Sequence, residues 1–174
     1  MNRPIFIVGF MGSGKTTLGK KIAAAMGRTF IDLDHEIVAH IGMSIPEYFK
    51  AFGESNFREL EREFLRKQKG NNAIISTGGG TPCFFDNMQW ITQNGLALYL
   101  EHSPKSLWSR LSQSDVNKRP VLKGLNGEEL LTFIETKLED RAPFYNQSQL
   151  KVDQMHTSIE QIVQLINNYK TDSV

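Results

Sequence analysis

The sequence is short of the features that would place it in several large classes. It has a single cysteine, Cys83, in 174 residues. One thiol cannot close an internal disulfide or build a zinc cluster alone, so a reducing, cytoplasmic setting is expected. No apolar run approaches the roughly 20 residues of a membrane-spanning helix. A strand-like run begins at Ile5, and no signal peptide is expected ahead of it. The formal net charge is only +1. That argues against a general nucleic-acid binder and gives no reason to expect an anionic membrane as partner. His35, His40, His102 and His156 show no metal-ligand spacing. There is no internal repeat, low-complexity tract or interdomain linker. A hydrophobic content of 40% and a charged content of 22% fit one globular domain over residues 1–174.

What is present is an alternation of strands and helices. Ile5 to Val8 is continuously apolar, which suits a strand buried on both faces of a parallel sheet. A glycine-rich turn follows, then a helix bearing Leu18, Ile22 and Ala25 and stopped by Gly27. Thr29 to Leu33 reads as a second strand running into Asp34, with a helix onward to Ile41 and Gly42. Ser44 and Glu47 form a capping box for a short helix. A longer helix is expected over 54–69, with Phe57, Leu60, Phe64 and Leu65 as its stripe. Ala73 to Thr77 is a third strand ending in Gly78-Gly79-Gly80. Helices at 84–93, 104 onward, 128–141 and 158–169 alternate with strands at 96–100 and 150–152. Leu131, Ile134 and Leu138 mark the 128–141 helix. Trp90 and Trp108 fit helix packing faces. Segment 112–126 is polar and unpatterned, as lids, binding loops and disordered segments are. The order implies a five-stranded parallel sheet with helices on both faces.

Gly9-Phe10-Met11-Gly12-Ser13-Gly14-Lys15-Thr16 fits G-x-x-x-x-G-K-[ST] at every fixed position. It follows a buried strand and opens a helix, the context this phosphate-binding loop requires. Its backbone N–H groups can point at phosphate oxygens, and the helix N-terminus adds positive potential. Lys15 would reach the β- and γ-phosphates and Thr16 would place its hydroxyl on Mg²⁺. Gly12, Ser13, Gly14, Lys15, Thr16 and Thr17 are therefore the candidate nucleotide-binding residues.

The guanine-reading motif of GTPases is missing: Asn117-Lys118-Arg119-Pro120 lacks its aspartate and lies in the polar segment. No aspartate closes the third strand, which reads Ile75-Ser76-Thr77-Gly78. Carboxylates occur instead as Asp32 and Asp34, after the second strand. Strand ends face the ligand crevice in such a sheet, and alternation along a strand would aim both the same way. One acid can hold a metal's water shell while the other accepts the proton of an attacking hydroxyl. A pair of solvated turn aspartates, or Asp34 as a helix N-cap, stands as the alternative. Arg58 lies three residues before Glu61 on one helix, which can orient it; a solvated helix arginine is the other reading. Arg141 sits near an apolar stripe, or is a cation at a helix C-terminus. The three glycines mark close backbone approach to a ligand, or a flexible turn. Cys83 reads as a partly buried small side chain.

The phosphate loop, Asp32-x-Asp34, Phe57-Arg58-Glu59-Leu60-Glu61, Gly78-Gly79-Gly80, Arg119-Pro120 and Arg141 stand in the order and spacing of the shikimate kinase family, which the chain resembles over nearly its whole length. The resemblance implies a P-loop kinase fold with a mobile lid at about 112–126 and a substrate-binding helical segment at about 34–61. It implies transfer of the ATP γ-phosphate to the 3-hydroxyl of shikimate, on the way to chorismate and the aromatic amino acids, with Mg²⁺ as cofactor. On it, Asp34 is the base that holds substrate hydroxyls. Arg58, oriented by Glu61, and Arg141 clamp the carboxylate. Gly79 and Gly80 supply backbone donors beside the ring. Lys15 and the lid residue Arg119 stabilise charge on the phosphates, Arg110 lies near the adenine, and Asp32 is the magnesium partner with Thr16. ATP and shikimate are the expected partners, with no nucleic acid or membrane, and a monomer is expected. Two other readings remain open at this point: a kinase for another small acid such as gluconate, and a nucleotide-binding regulator without transfer activity.

Overall fold

In a computed structural model the chain is described over residues 3–113, 122, 124–125 and 127–171. The strands are β1 (Ile5–Val8), β2 (Thr29–Asp32), β3 (Ala73–Ser76), β4 (Leu96–Glu101) and β5 (Leu150–Asp153). The helices are α1 (Lys15–Met26), α2 (Leu33–Ile41), α3 (Ile45–Phe52), α4 (Glu54–Arg66), α5 (Asn87–Asn94), α6 (Pro104–Ser112), α7 (Gly127–Tyr145) and α8 (Ile159–Thr171). The strands form one parallel sheet in the order β2-β3-β1-β4-β5.

The apolar run 5–8 becomes the central strand because both of its faces are covered. All four residues are fully buried. Period-two alternation sends Ile5 and Ile7 to one face, against Leu18 and Ile22 of α1 and Ile162 and Ile166 of α8. Phe6 and Val8 face the other side, with Leu65, Met88, Ile91 and Tyr145. Two satellite clusters support the ends of the strands. Phe10 packs with Leu107 and Leu111 of α6 and Leu130 and Ile134 of α7. Ile37, Phe57 and Phe64 join α2 to α4. From β1 the chain leaves to β2 on one side, and from β3 it crosses to β4 on the other. The crevice outside the carboxyl ends of β1 and β3 is thus the switch point of the sheet, where such folds bind ligands.

Several expected boundaries shift for identifiable reasons. β2 ends at Asp32, and Leu33 already belongs to α2 because the Asp32 carboxylate caps that helix through the His35 amide at 3.3 Å. Ala23, not Ala25, completes the buried face of α1. α4 stops at Arg66, and α5 starts only at Asn87, after a 3₁₀ turn over Thr81–Cys83 and a left-handed Phe85 at φ 51°. Trp108 is 36% exposed, its indole N–H donating to the Gly127 carbonyl. α7 uses Leu130, not Leu131, and runs past Arg141 and through Pro143 to Tyr145. A proline there costs only a last-turn hydrogen bond. Tyr145 offsets it by being fully buried, stacked on Tyr99 at 5.1 Å and bonded to the Gly79 carbonyl at 2.6 Å.

Gly95, between α5 and β4, passes so close to the start of β1 that a Cβ there would lie 2.6 Å from the Pro4 carbonyl oxygen and 2.6 Å from the Phe6 ring. Gly95→Ala is expected to destabilise the protein by about 1–3 kcal/mol through overpacking. Urea denaturation checks this, and an unchanged midpoint would contradict the packing described.

Candidate active site

The loop between β1 and α1 is built by opposing its peptide dipoles. Gly12 and Gly14 take left-handed φ values of 76° and 93°, which other residues reach only with strain. The turn is closed by the Ser13 amide donating to the Phe10 carbonyl at 3.2 Å. A loop that turns N–H groups toward a phosphate turns its carbonyls into the protein, where each needs a donor. Lys15 Nζ donates to Gly9 and Phe10 at 2.9 Å each. Arg110 Nε donates to Gly12 at 2.8 Å, and the Leu18 amide to Gly14 at 2.9 Å. His102 Nε2 stands 2.9 Å from the Ser13 oxygen. Ser13's own side chain is fully buried, so its part is played by backbone.

Outside the loop lies a cleft of about 620 Å³. It brings together Gly12, Gly14, Lys15, Thr16, Thr17, Asp32, Asp34, Gly79 and Arg110, all expected from the sequence, with Met11, Ser76, Thr77 and Gln113, which were not. The Thr16 hydroxyl donates to Asp32 Oδ2 at 2.7 Å. Asp34 also faces the cleft, though not by strand alternation: it lies in the first turn of α2, two residues beyond the end of the strand. Burial raises its carboxyl to about 6, and the neighbouring Glu61 and Asp32 charges add to the effect against Lys15 and Arg58. The side chain keeps some contact with the cleft while protein surrounds the rest of it.

The glycine run at the end of β3 ties the acidic and basic groups together. A Cβ on Gly78 would fall 2.8 Å from Asp34 Oδ1, 2.9 Å from Glu61 Oε1 and 2.9 Å from Thr81 Oγ1. On Gly80 it would meet Arg58 Nη1 at 2.9 Å, and on Gly79 the Met11 amide at 3.1 Å and Arg141 Nη1 at 3.4 Å. These residues are glycine because functional side chains occupy the space. The run is therefore a packed part of the site and not simply a flexible turn.

Arg58 is held on three sides. Nη1 donates to Glu61 and Nη2 to Glu54, each at 2.9 Å, and the guanidinium lies 4.0 Å from the centre of the Phe84 ring. With its side chain 13% exposed it is not a solvated helix arginine. Glu61 is buried and receives the Thr81 hydroxyl on its other oxygen. Arg141 sits within α7, not at its end, with its guanidinium 5.2 Å from the Phe10 ring. Its Nη1 is buried without a hydrogen-bond partner among the described residues. Arg58, Glu61, Gly80 and Arg141, also expected from the sequence, are not among the residues that line the cleft; they meet it through the glycine run.

Arg119 lies outside the described residues, as does most of segment 112–126. Cys83 is half-buried, and burial pushes its thiol up to about 11, so it is no nucleophile at neutral pH. Glu54, Thr81, His102 and Tyr145 were missed by sequence reading, and Gly78 was read only as part of the glycine run, without its partners. Only Glu54 carried a local signal, its i,i+4 spacing to Arg58.

A family model for shikimate kinase matches residues 11–169. Shikimate kinase of Bacteroides fragilis is 43% identical over 172 residues, covering 94% of this chain and 96% of that one. The crystal structure of shikimate kinase from Bacteroides thetaiotaomicron superposes with a TM-score of 0.87 at 40% identity, covering 97% of this chain and 98% of that one. That of the Acinetobacter baumannii enzyme in complex with shikimate gives 0.83 at 29% identity, covering 98% and 93%.

The raised carboxyl of Asp34 has a consequence for stability. Between its ordinary value of 3.8 and about 6, the folded protein holds a proton that the unfolded chain has released. Stability therefore falls as pH rises through that window, and the loss is complete above it. Asp34→Asn is expected to be more stable than the parent at pH 7.5, by up to about 3 kcal/mol, with the gap closing near pH 4. Urea titrations at both pH values measure it, and an Asn variant no more stable than the parent at pH 7.5 contradicts the account.

Proposed function

The chain belongs to the shikimate kinase family and its reaction is the ATP-dependent phosphorylation of shikimate; we propose that Asp34, Lys15 and the two arginines about the glycine run carry it out, on the substrate's 3-hydroxyl. The observation that carries this assignment is the meeting of Asp34 with Lys15 and the phosphate loop in one cleft, with Arg58 and Arg141 drawn to adjacent glycines at its edge.

In this reading the loop amides and Lys15 hold the ATP phosphates, and Arg110 closes the rim. Arg58 and Arg141 grip the substrate carboxylate. A planar guanidinium suits that task because it offers two parallel N–H groups. Helices α2 to α4, the segment 34–61, form the substrate side. Asp34 accepts the proton of the attacking hydroxyl, and a carboxyl poised near 6 is a better base at neutral pH than an ordinary one. Thr16 and Asp32 offer hard oxygen ligands beside the loop and suit Mg²⁺, which takes one or two protein oxygens together with phosphate. When bound, Mg²⁺ would supply charge neutralisation at the phosphates. Arg119 belongs to the same proposal as the arginine that closes over them. A monomer working in the cytoplasm completes the proposal. No helix among the described residues is long and apolar enough to cross a membrane.

Shikimate-dependent ADP formation is the direct test. Turnover with gluconate and not with shikimate would overturn the assignment, as would nucleotide binding without transfer. Asp34→Asn is expected to lower kcat by about 10²–10⁴ while leaving ATP affinity nearly intact. Arg58→Ala and Arg141→Lys should each raise the shikimate KM by about 10–100-fold with little change in the ATP KM. An equal rise in both KM values would show that these arginines do not belong to a separate acid subsite.

A further inference from the structure

His102 follows directly on β4 and is buried between the phosphate loop and α6. Its Nε2 lies 2.9 Å from the Ser13 carbonyl oxygen and its Nδ1 3.1 Å from Ser106 Oγ. A carbonyl can only accept, so Nε2 carries the proton. In the neutral ring Nδ1 then accepts from the Ser106 hydroxyl. Burial holds the imidazole below its ordinary value and so favours the neutral form, helped by Arg110 on α6 and Lys15 on α1. The Ser13 carbonyl and Asp153 at the end of β5 oppose this. Ser106 is itself fixed, its amide bonded to the α6 cap Ser103 at 3.2 Å. One turn along the same helix, Arg110 holds the Gly12 carbonyl. Helix α6 therefore grips two consecutive loop carbonyls, one through its own arginine and one through His102.

In a trans peptide the C=O and the following N–H point in opposite directions within one plane. Holding the Ser13 oxygen toward His102 turns the Gly14 N–H the other way, and Gly14 lines the cleft. We propose that His102 is a positioning residue for the nucleotide, orienting the Ser13–Gly14 peptide so that the Gly14 N–H faces the phosphates. This rests on the nucleotide reading of the loop but not on the identity of the phosphate acceptor.

The test is calorimetric titration with Mg²⁺-ADP in the absence of shikimate, alongside KM values for both substrates. His102→Phe, which keeps ring volume and loses both hydrogen bonds, should weaken ADP binding about tenfold and leave the shikimate KM within about twofold. His102→Gln can still donate to the Ser13 carbonyl and should recover most of the loss. Ser106→Ala keeps the ring but frees it, and should cost about threefold in ADP affinity. Long-range ¹⁵N–¹H spectra of the parent protein should show a neutral Nε2–H ring at pH 7. The proposal is overturned by ADP affinity within twofold of the parent in either His102→Phe or Ser106→Ala, by a loss shared equally with shikimate, or by an Nδ1–H or charged ring. A parent that binds ADP without phosphorylating shikimate would sink the assignment of the reaction and leave the His102 result readable.

Discussion

Peptide orientation in the phosphate loop is the constraint on which the rest of the structure depends. N–H groups cannot converge on one point unless the carbonyls of the same peptides diverge from it, and a diverging carbonyl inside a protein must find a donor. Here the donors come from Lys15 and Leu18 on α1, Arg110 on α6 and His102 after β4. The loop is therefore as well ordered as the packing of these elements against β1. That strand is buried on both faces, so close packing fixes the point from which the loop starts.

The opposite wall of the cleft is organised by the absence of side chains. Gly78, Gly79 and Gly80 each leave room for a different group: the Asp34 and Glu61 carboxylates, the Arg141 guanidinium and the Arg58 guanidinium. Crowding acids at one point has electrostatic results. Glu61 is wholly buried but is matched by Arg58 and the Thr81 hydroxyl. Such a pair is costly to break, because removing one partner strands a buried charge. Asp34 lacks an equivalent hydrogen-bonded cation among the described residues, so burial and its acidic neighbours raise its proton affinity. The same crowding that would suit Asp34 to the proposed role of base makes it a local source of instability, the usual relation between function and stability at a site.

How far the site was legible in the sequence follows from how local each part is. The phosphate loop is one contiguous motif, and Gly12, Gly14, Lys15, Thr16 and Thr17 line the cleft while Ser13, expected with them, does not. Arg58 and Glu61 are three apart on one helix, so their pairing could be read from spacing alone. Asp32 and Asp34 were located correctly for a partly mistaken reason: Asp32 caps α2, so Asp34 starts a helix instead of extending a strand. β1, β3 and β4 were legible as short apolar runs near glycine or proline, whereas β2 and β5 mix apolar with polar residues and β5 has glutamines on both sides, so these two were read mainly from the strand–helix alternation. Boundaries failed where tertiary contacts override local preference. α7 continues through Pro143 because Tyr145 has a buried seat. His102 carried no signal at all, and the glycine run signalled a close approach at Gly78 without naming what approaches it. Their roles arise from segments far apart in the chain, such as Ser13 and His102, or Asp34, Glu61 and Gly78, and no periodicity reports such approaches.

This difference in locality also separates what is general in the site from what is particular. The phosphate half is mostly backbone, written in eight consecutive residues, and backbone amides recognise any polyphosphate. It says little about the acceptor. The other half is made of side chains from α2, α4 and α7 set against the glycines after β3, and on the proposed reading it selects by charge and shape. On the proposed reading Arg141 Nη1 would weigh most in that selection, because it is buried without a hydrogen-bond partner among the described residues and a ligand bringing an acceptor would relieve an unpaired donor. A substrate lacking a carboxylate would leave that group unpaired, and the cost of an unpaired buried donor, about 1–3 kcal/mol, is itself the discrimination. On that reading selectivity would rest less on attraction gained by the right acid than on the penalty that every wrong acceptor leaves in place.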